Sequence, residues 1–120
     1  MTRSRLELGK TGEDWAADHL LGLGYRIVER NYRCPLGEID VVATDRDCLV
    51  FVEIKTRRAA SMGQVKEAVT VRKQKKLVQL ARYYLKEHKK DGVRCRFDVV
   101  AVNTAGGARR IEVVRDAFTA

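Results

Sequence analysis

Cysteine, proline and long apolar runs are all scarce in this chain, and each scarcity closes off a class of protein. The three cysteines are Cys34, Cys48 and Cys95. Their number is odd and no pair has metal-ligand spacing, which argues against a disulfide framework or a zinc site. They read as ordinary thiols of a reducing compartment. Pro35 is the only proline, and no repeat, low-complexity tract or linker interrupts the sequence, so the 120 residues are expected to form one domain, 1–120. The N-terminal stretch MTRSRLELGKTGEDW lacks the apolar core of a signal peptide. No apolar run approaches membrane-spanning length. A cytoplasmic protein with no membrane partner is therefore expected. His19 and His88 fall on helix faces without metal-ligand spacing. No Ser-His-Asp set is suggested and no glycine-rich phosphate loop matches.

What the chain has is apolar residues and positive charge. Hydrophobic residues make up 45% of it, enough for a real core, and charged residues 33%. The 24 Lys and Arg against 16 Asp and Glu give a formal net charge of +8. That sign attracts polyanions, either nucleic acid or anionic lipid, although a basic and inert surface has the same composition.

Periodicity sets out the elements. Residues 9–23 read as a helix, with Trp15, Ala16, His19, Leu20 and Leu23 at helical spacing and Gly24 as its stop. YRIVERN at 25–31 reads as a strand, followed by a loop from Tyr32 to Leu36. GEIDVVAT at 37–44 and CLVFVEIKT at 48–56 read as a hairpin around Asp45-Arg46-Asp47. Arg57 to Gly63 is a polar loop, and 65–69 is a candidate turn of helix. Thr70 is a suitable N-cap for a helix over 71–89, whose stripe is Leu77, Leu80, Ala81, Tyr84 and Leu85. RFDVVAV at 96–102 and RIEVV at 110–114 read as a second hairpin, turned at Gly106-Gly107. The order describes a small α/β domain with a mixed sheet.

One strand contains an anomaly. Val50, Val52 and Ile54 alternate on one face, and Leu49 and Phe51 on the other, as in a strand buried on both sides. Glu53 and Lys55 then follow Phe51 on that second face. If the hairpin loop is 45–48, Thr44 faces Leu49 and Asp40 lies opposite Glu53. Two adjacent carboxylates repel, and Mg²⁺ or Mn²⁺ offsets that charge better than a lysine does. Asp40 and Glu53 are then metal ligands, with the Ile54 carbonyl as a third. Lys55 orients water or stabilises developing negative charge. The chemistry implied is metal-assisted phosphodiester hydrolysis. The rival reading is a structural ion pair. Glu-x-Lys alone discriminates little, since about one match is expected by chance in a chain so charged. Glu87-His88-Lys89 is such a match, at the polar end of a helix where residues two apart point to nearly opposite sides.

These stretches together are recognisable. Gly37-Glu38-Ile39-Asp40, the run VFVEIKTR at 50–57 and the run RFDVV at 96–100 resemble the UPF0102 family, as do Gly-x-x-Gly-Glu at 9–13 and Arg30-Asn31-Tyr32-Arg33. The resemblance spans about Gly9 to Val102. That family is similar to archaeal Holliday junction resolvases of the restriction-endonuclease-like superfamily, whose signature is PD-(D/E)-x-K. It implies a restriction-endonuclease-like αβββαβ core, with a mixed central sheet flanked by helices. The signature aspartate falls on Asp40, and Glu-x-Lys on Glu53, Ile54 and Lys55; Ile39 stands where the signature has proline. Resolvase-like members add a glutamate on the first helix, which Glu13 matches, although a first-turn glutamate also suits the helix dipole. The superfamily often places a Lys or Gln on the helix after Glu-x-Lys, for which Lys73 is preferred over Gln74. Gln79 to Tyr83 also resembles the Q-x-x-x-Y of RecB-type nucleases. Asp98 reads as structural, paired with a nearby arginine, with a site role left open.

The cations cluster. Arg72, Lys73, Lys75, Lys76, Arg82, Lys86, Lys89 and Lys90 lie on the second helix against one acid, Glu87. Arg57, Arg58 and Lys73 are placed to bracket a phosphate backbone beside the metal, and Arg30 and Arg33 flank the loop before Asp40. Solvated positions are expected for Lys86, Lys89 and Lys90. Tyr32 either packs or stacks on an exposed base. The resemblance points to branched or junction DNA and to a homodimer that sets two sites across a four-way junction. The alternatives are a nucleic-acid-binding module that keeps the fold without cutting, and a scaffold for a protein partner.

Overall fold

A computed structural model describes residues 11–57, 69–104 and 109–120. The Gly9-Lys10 start of the first helix, Arg58, most of the helical turn expected over 65–69, and Gly106-Gly107 lie outside these residues. The elements run α1 (Gly12–Gly22), β1 (Arg26–Cys34), β2 (Gly37–Asp45), β3 (Cys48–Arg57), α2 (Val71–Glu87), β4 (Cys95–Asn103) and β5 (Arg110–Phe118). One sheet holds the strands in the order β1-β2-β3-β4-β5. β3 and β4 are parallel, and the other three pairs are antiparallel. The crossover that a parallel pair requires contains α2. This is the αβββαβ order and mixed sheet of a restriction-endonuclease-like core, with β5 added at the edge.

Each helix begins at a cap. In α1 the Thr11 hydroxyl accepts from Asp14 N while Asp14 Oδ2 accepts from Thr11 N at 2.8 Å, a reciprocal capping box. In α2 the Thr70 hydroxyl accepts from Lys73 N at 3.2 Å. The helices cover opposite faces of the sheet. Ala16 and Leu20 of α1 pack with Val41, Ala43, Val50, Val52 and Val100. Leu77, Leu80, Ala81 and Tyr84 of α2 pack with Val42, Leu49, Phe51, Phe97 and Val99. Every residue of β3 from Cys48 to Ile54 is buried, as the alternation of apolar residues predicts for a central strand. Gly12 seats the start of α1 on β3, since a Cβ there would collide with the Thr56 side chain. On the far side of the same turn, the Arg109 guanidinium lies 4.7 Å over the Trp15 ring and ties the start of β5 to α1.

Several boundaries differ from the sequence reading. β1 continues to Cys34, so the expected loop shrinks to Pro35-Leu36. Tyr32 is buried in that strand, and its hydroxyl donates to Glu87 Oε1 at 2.9 Å, so it packs and has no face left for a base. Leu23 is 45% exposed, and Ala17 is buried in its stead. α2 stops at Glu87, two residues early, where His88 stacks on Tyr84 at 4.0 Å and Lys89 turns to φ 53°. β5 runs on to Phe118, which stacks on Phe97 at 4.9 Å.

Asp98 is structural, as expected. It lies on the α1 side of β4 with no side-chain exposure. Its carboxylate accepts from Tyr25 OH at 2.6 Å, Arg96 Nε at 2.9 Å and Asp116 N at 2.9 Å. Arg96 also reaches Asp45 Oδ2 at 2.7 Å, and Arg115 Nε donates to Tyr25 OH at 3.1 Å. The network joins β2, β4, β5 and the connection between α1 and β1. Its hydrogen bonds, first the one to Asp98, raise the pKa of Arg96 and keep it cationic. Asp98→Ala would remove the acceptor shared by Tyr25 OH, Arg96 Nε and Asp116 N while leaving Arg96 its pair with Asp45, and is expected to cost about 3 kcal/mol in chemical denaturation. Tyr25→Phe, which removes one hydroxyl, should cost about 1 kcal/mol. A loss well under 1 kcal/mol for Asp98→Ala would show that the network is dispensable.

Candidate active site

Asp40 is left out of the pairing of β2 with both of its neighbours, β1 and β3. Between β2 and β3 the register runs from Asp45↔Cys48 through Thr44↔Leu49 to Val41↔Val52, as the turn predicts. One further step would set Asp40 against Glu53, but regular pairing ends there. The Asp40 carboxylate instead accepts from Ile54 N at 2.8 Å, so a side chain occupies the place of a main-chain acceptor. Between β1 and β2 the pairing passes from Arg30↔Val41 to Tyr32↔Ile39 with no Asn31–Asp40 pair between them.

Faces exchange across this line. Val41 belongs to the α1-side cluster and Ile39 to the α2-side cluster, although residues two apart on a strand ordinarily share a face. On β1, Arg30 pairs with Asp14 of α1, whereas Tyr32 packs under α2. Asn31 carries the exchange with a left-handed φ of 54°. Asp40 therefore lies sideways across the gap toward β3. The sequence reading had it standing beside Glu53 on one flat face.

Glu53 is 5% exposed and is the focus of the charges. Lys55 Nζ lies 3.5 Å from its Oε2, and Lys73 Nζ, from the first turn of α2, lies 3.6 Å from the same oxygen. Burial, then the charge and hydrogen bond of Asp40, push the Glu53 carboxyl up to about 7, against the pull of Lys73 and Lys55. Glu13 is raised as well, by burial and then by Asp40 and Glu38, partly offset by Arg30. Glu13, Glu38, Asp40 and Glu53 thus form one acidic neighbourhood.

The other predicted residues divide. Arg30 Nη2 is held by Asp14 Oδ1 at 2.8 Å, and Arg33 Nε by Glu38 Oε2 at 3.3 Å. Arg57 follows Lys55 at the end of β3, where its carbonyl accepts from Thr104 N at 2.9 Å. Gln74 donates to the Val69 carbonyl at 3.0 Å and serves the helix start. Gln79 joins Lys55, Thr70, Arg72, Lys73, Lys75 and Lys76 around a groove of about 610 Å³, with no acid among the described residues that line it. Arg72 and Lys73 occupy the first turn of α2, where the helix dipole disfavours cations unless an anion is close. A second concavity, about 630 Å³, lies at the opposite end of the sheet and is lined by the Asp45, Arg96 and Arg115 network and its neighbours. Sequence reasoning missed Asn31 and Glu38; both stood inside quoted motifs, but nothing in their spacing marked a role.

The donor set suits a hard divalent cation. All of it is oxygen, and after burial it is the charge of Asp40 that lifts Glu53, a repulsion that such an ion relieves. Among the described residues no three His, Cys, Asp or Glu side chains form a ready metal cluster. The protein would supply Asp40 and Glu53, with Glu13 behind them, which is the partial set that Mg²⁺ accepts when water and phosphate complete its shell.

The geometry is that of an α/β domain with a carboxylate pair and a lysine pair at an opened strand junction. The family model described as "Uncharacterised protein family UPF0102" matches residues 12–102. A UPF0102 protein of Syntrophotalea carbinolica is 45% identical over 118 residues, covering 98% of this chain and 96% of its own length. One from Moorella thermoacetica is 47% identical over 120 residues, covering 98% and 100%. The chain belongs to the UPF0102 family. Among the described residues no helix is long and apolar enough to cross a membrane.

The raised Glu53 pKa has a thermodynamic consequence. The folded state keeps a proton that the unfolded state releases near 4.5, so this stabilisation is full below about 4.5 and lost as pH rises through about 7. Thermal melts of metal-free protein should therefore lose on the order of 2 kcal/mol between those limits from this group. Glu53→Gln should flatten the slope; an unchanged slope would assign it to another group.

Proposed function

We propose that this protein is a Mg²⁺- or Mn²⁺-dependent DNA endonuclease that hydrolyses phosphodiester bonds in branched or junction DNA. The observation that carries the reading is the convergence of Asp40, Glu53, Lys55 and Lys73 where β2 and β3 part. A bound divalent ion would neutralise phosphate charge and make water more acidic. The chain's own residues do the rest. Asp40 is locked by the Ile54 N–H, so its position does not depend on solvent. Lys55, with 36% of its side chain exposed, can turn from Glu53 to the attacking water or to the scissile phosphate. Lys73 approaches from α2 and can carry the adjacent phosphate.

The basic groove beside Lys55 and Lys73 is the proposed path of the strand. Arg72, Lys75 and Lys76 would hold it through phosphates without reading bases. Arg57 would extend that path, and a homodimer would set two such sites on one junction. Arg30 and Arg33 are engaged with Asp14 and Glu38, so their contribution to DNA would be made from those pairs.

Labelled four-way-junction, flap, single-stranded and duplex DNA, incubated with Mn²⁺, Mg²⁺ or EDTA, test the reading. Cutting is expected only with metal, and Asp40→Asn and Lys55→Met should each lower it by about 100-fold or more. Arg72→Ala with Lys75→Ala and Lys76→Ala should weaken DNA binding and reduce its salt slope by about 0.9 per lost phosphate contact on duplex. Binding that persists in EDTA, with no cutting by wild type, would assign the domain to the non-catalytic module class.

A further inference from the structure

We propose that Asn31 is a positioning residue that holds Glu13 toward the Asp40–Glu53 pair through a bridge shared with Glu38. The inference rests on the metal-site reading above, and it adds a residue to which no role has been given.

Asn31 is an unusual residue for the interior of a strand. Asparagine is disfavoured in strands, and a φ of 54° is costly for a residue with a Cβ, though less for asparagine than for most. It stands in the interior of β1, where the ladder with β2 omits its pairing with Asp40. A backbone held in such a region calls for a compensating role.

The side chain supplies one. With its amide nitrogen turned toward the two acids, it donates to Glu38 Oε1 at 2.8 Å and to Glu13 Oε1 at 3.2 Å. The opposite orientation would set the amide oxygen against both carboxylates. One carboxamide offers two N–H bonds, and here each meets a different carboxylate. Serine has one donor and aspartate none, so neither could make the same bridge. Without it, Glu13 and Glu38 would lose the donor that they share.

The neighbours of Asn31 have the same kind of task. Arg30 holds Asp14, Tyr32 holds Glu87, and Arg33 holds Glu38. Each member of the run Arg30 to Arg33 thus touches a carboxylate, and Asn31 is the one aimed at the metal side. The left-handed turn at Asn31 lets Arg30 face α1 while Tyr32 faces α2. It also leaves the amide at the line where Glu13 and Asp40 approach.

Mn²⁺ titration calorimetry on the metal-free protein tests this without recourse to cleavage. Asn31→Gly is the variant of choice, since glycine accepts the positive φ and the fold is kept, as circular dichroism will show. Asn31→Gly should weaken Mn²⁺ binding by about tenfold or more, and Glu13→Ala by a similar factor. The double variant should bind no more weakly than Glu13→Ala alone, because Asn31 acts through Glu13. Wild-type affinity in Asn31→Gly would overturn the proposal. So would a full loss added on top of Glu13→Ala, which would mean that Asn31 acts through the fold at large. Absence of Mn²⁺ binding by wild type, or its persistence in Asp40→Asn, would defeat the metal-site reading itself and Asn31's role with it.

Discussion

The candidate site depends on one hydrogen bond, from the Ile54 amide to the Asp40 carboxylate. A buried amide in a central strand must find an acceptor. Had a main-chain carbonyl supplied it, β2 and β3 would have zipped past this point and Glu53 would have stood in a closed sheet. A carboxylate supplies it instead. The strands can part without leaving the amide unsatisfied, and a negative charge is fixed beside Glu53. The end of β2–β3 pairing beside Glu53 goes with that exchange.

Charge then explains how the site is tolerated. Four acids near one another would cost stability, yet each has an identifiable counterpart. Lys55 and Lys73 face Glu53, Ile54 N–H holds Asp40, and the Asn31 amide separates Glu13 from Glu38. The offset is incomplete at Glu53, whose pKa remains raised. Burial is the first cause of that shift, ahead of the Asp40 charge, and the two lysines oppose it only in part.

Much of this was legible in the sequence because it follows from strand period and turn length. Two apolar faces in VFVEIK marked β3 as central, and the short turn at Arg46-Asp47 fixed the register as far as Val41↔Val52. Thr70 marked the start of α2 and so the height of Lys73. What could not be read was any departure from period two. Tyr32 and Ile39 change faces because Asn31 adopts a left-handed φ, and asparagine has no obligation to do so. The expected loop at Tyr32 arose from that hidden turn. The contacts of Arg30, Arg33 and Glu38 are tertiary pairings between residues whose types say only that they are charged.

The contact of Arg109 with Trp15 has a practical implication. Trp15 is the chain's only tryptophan, and it lies two residues beyond Glu13 on the first turns of α1. A guanidinium rests on its ring. The tryptophan emission of this protein thus originates from a single indole on the first turns of α1, packed against the core on that side of the sheet. Any event that shifts the start of α1, or draws Arg109 away toward another anion, will be written into the colour and intensity of that light, with no dye attached.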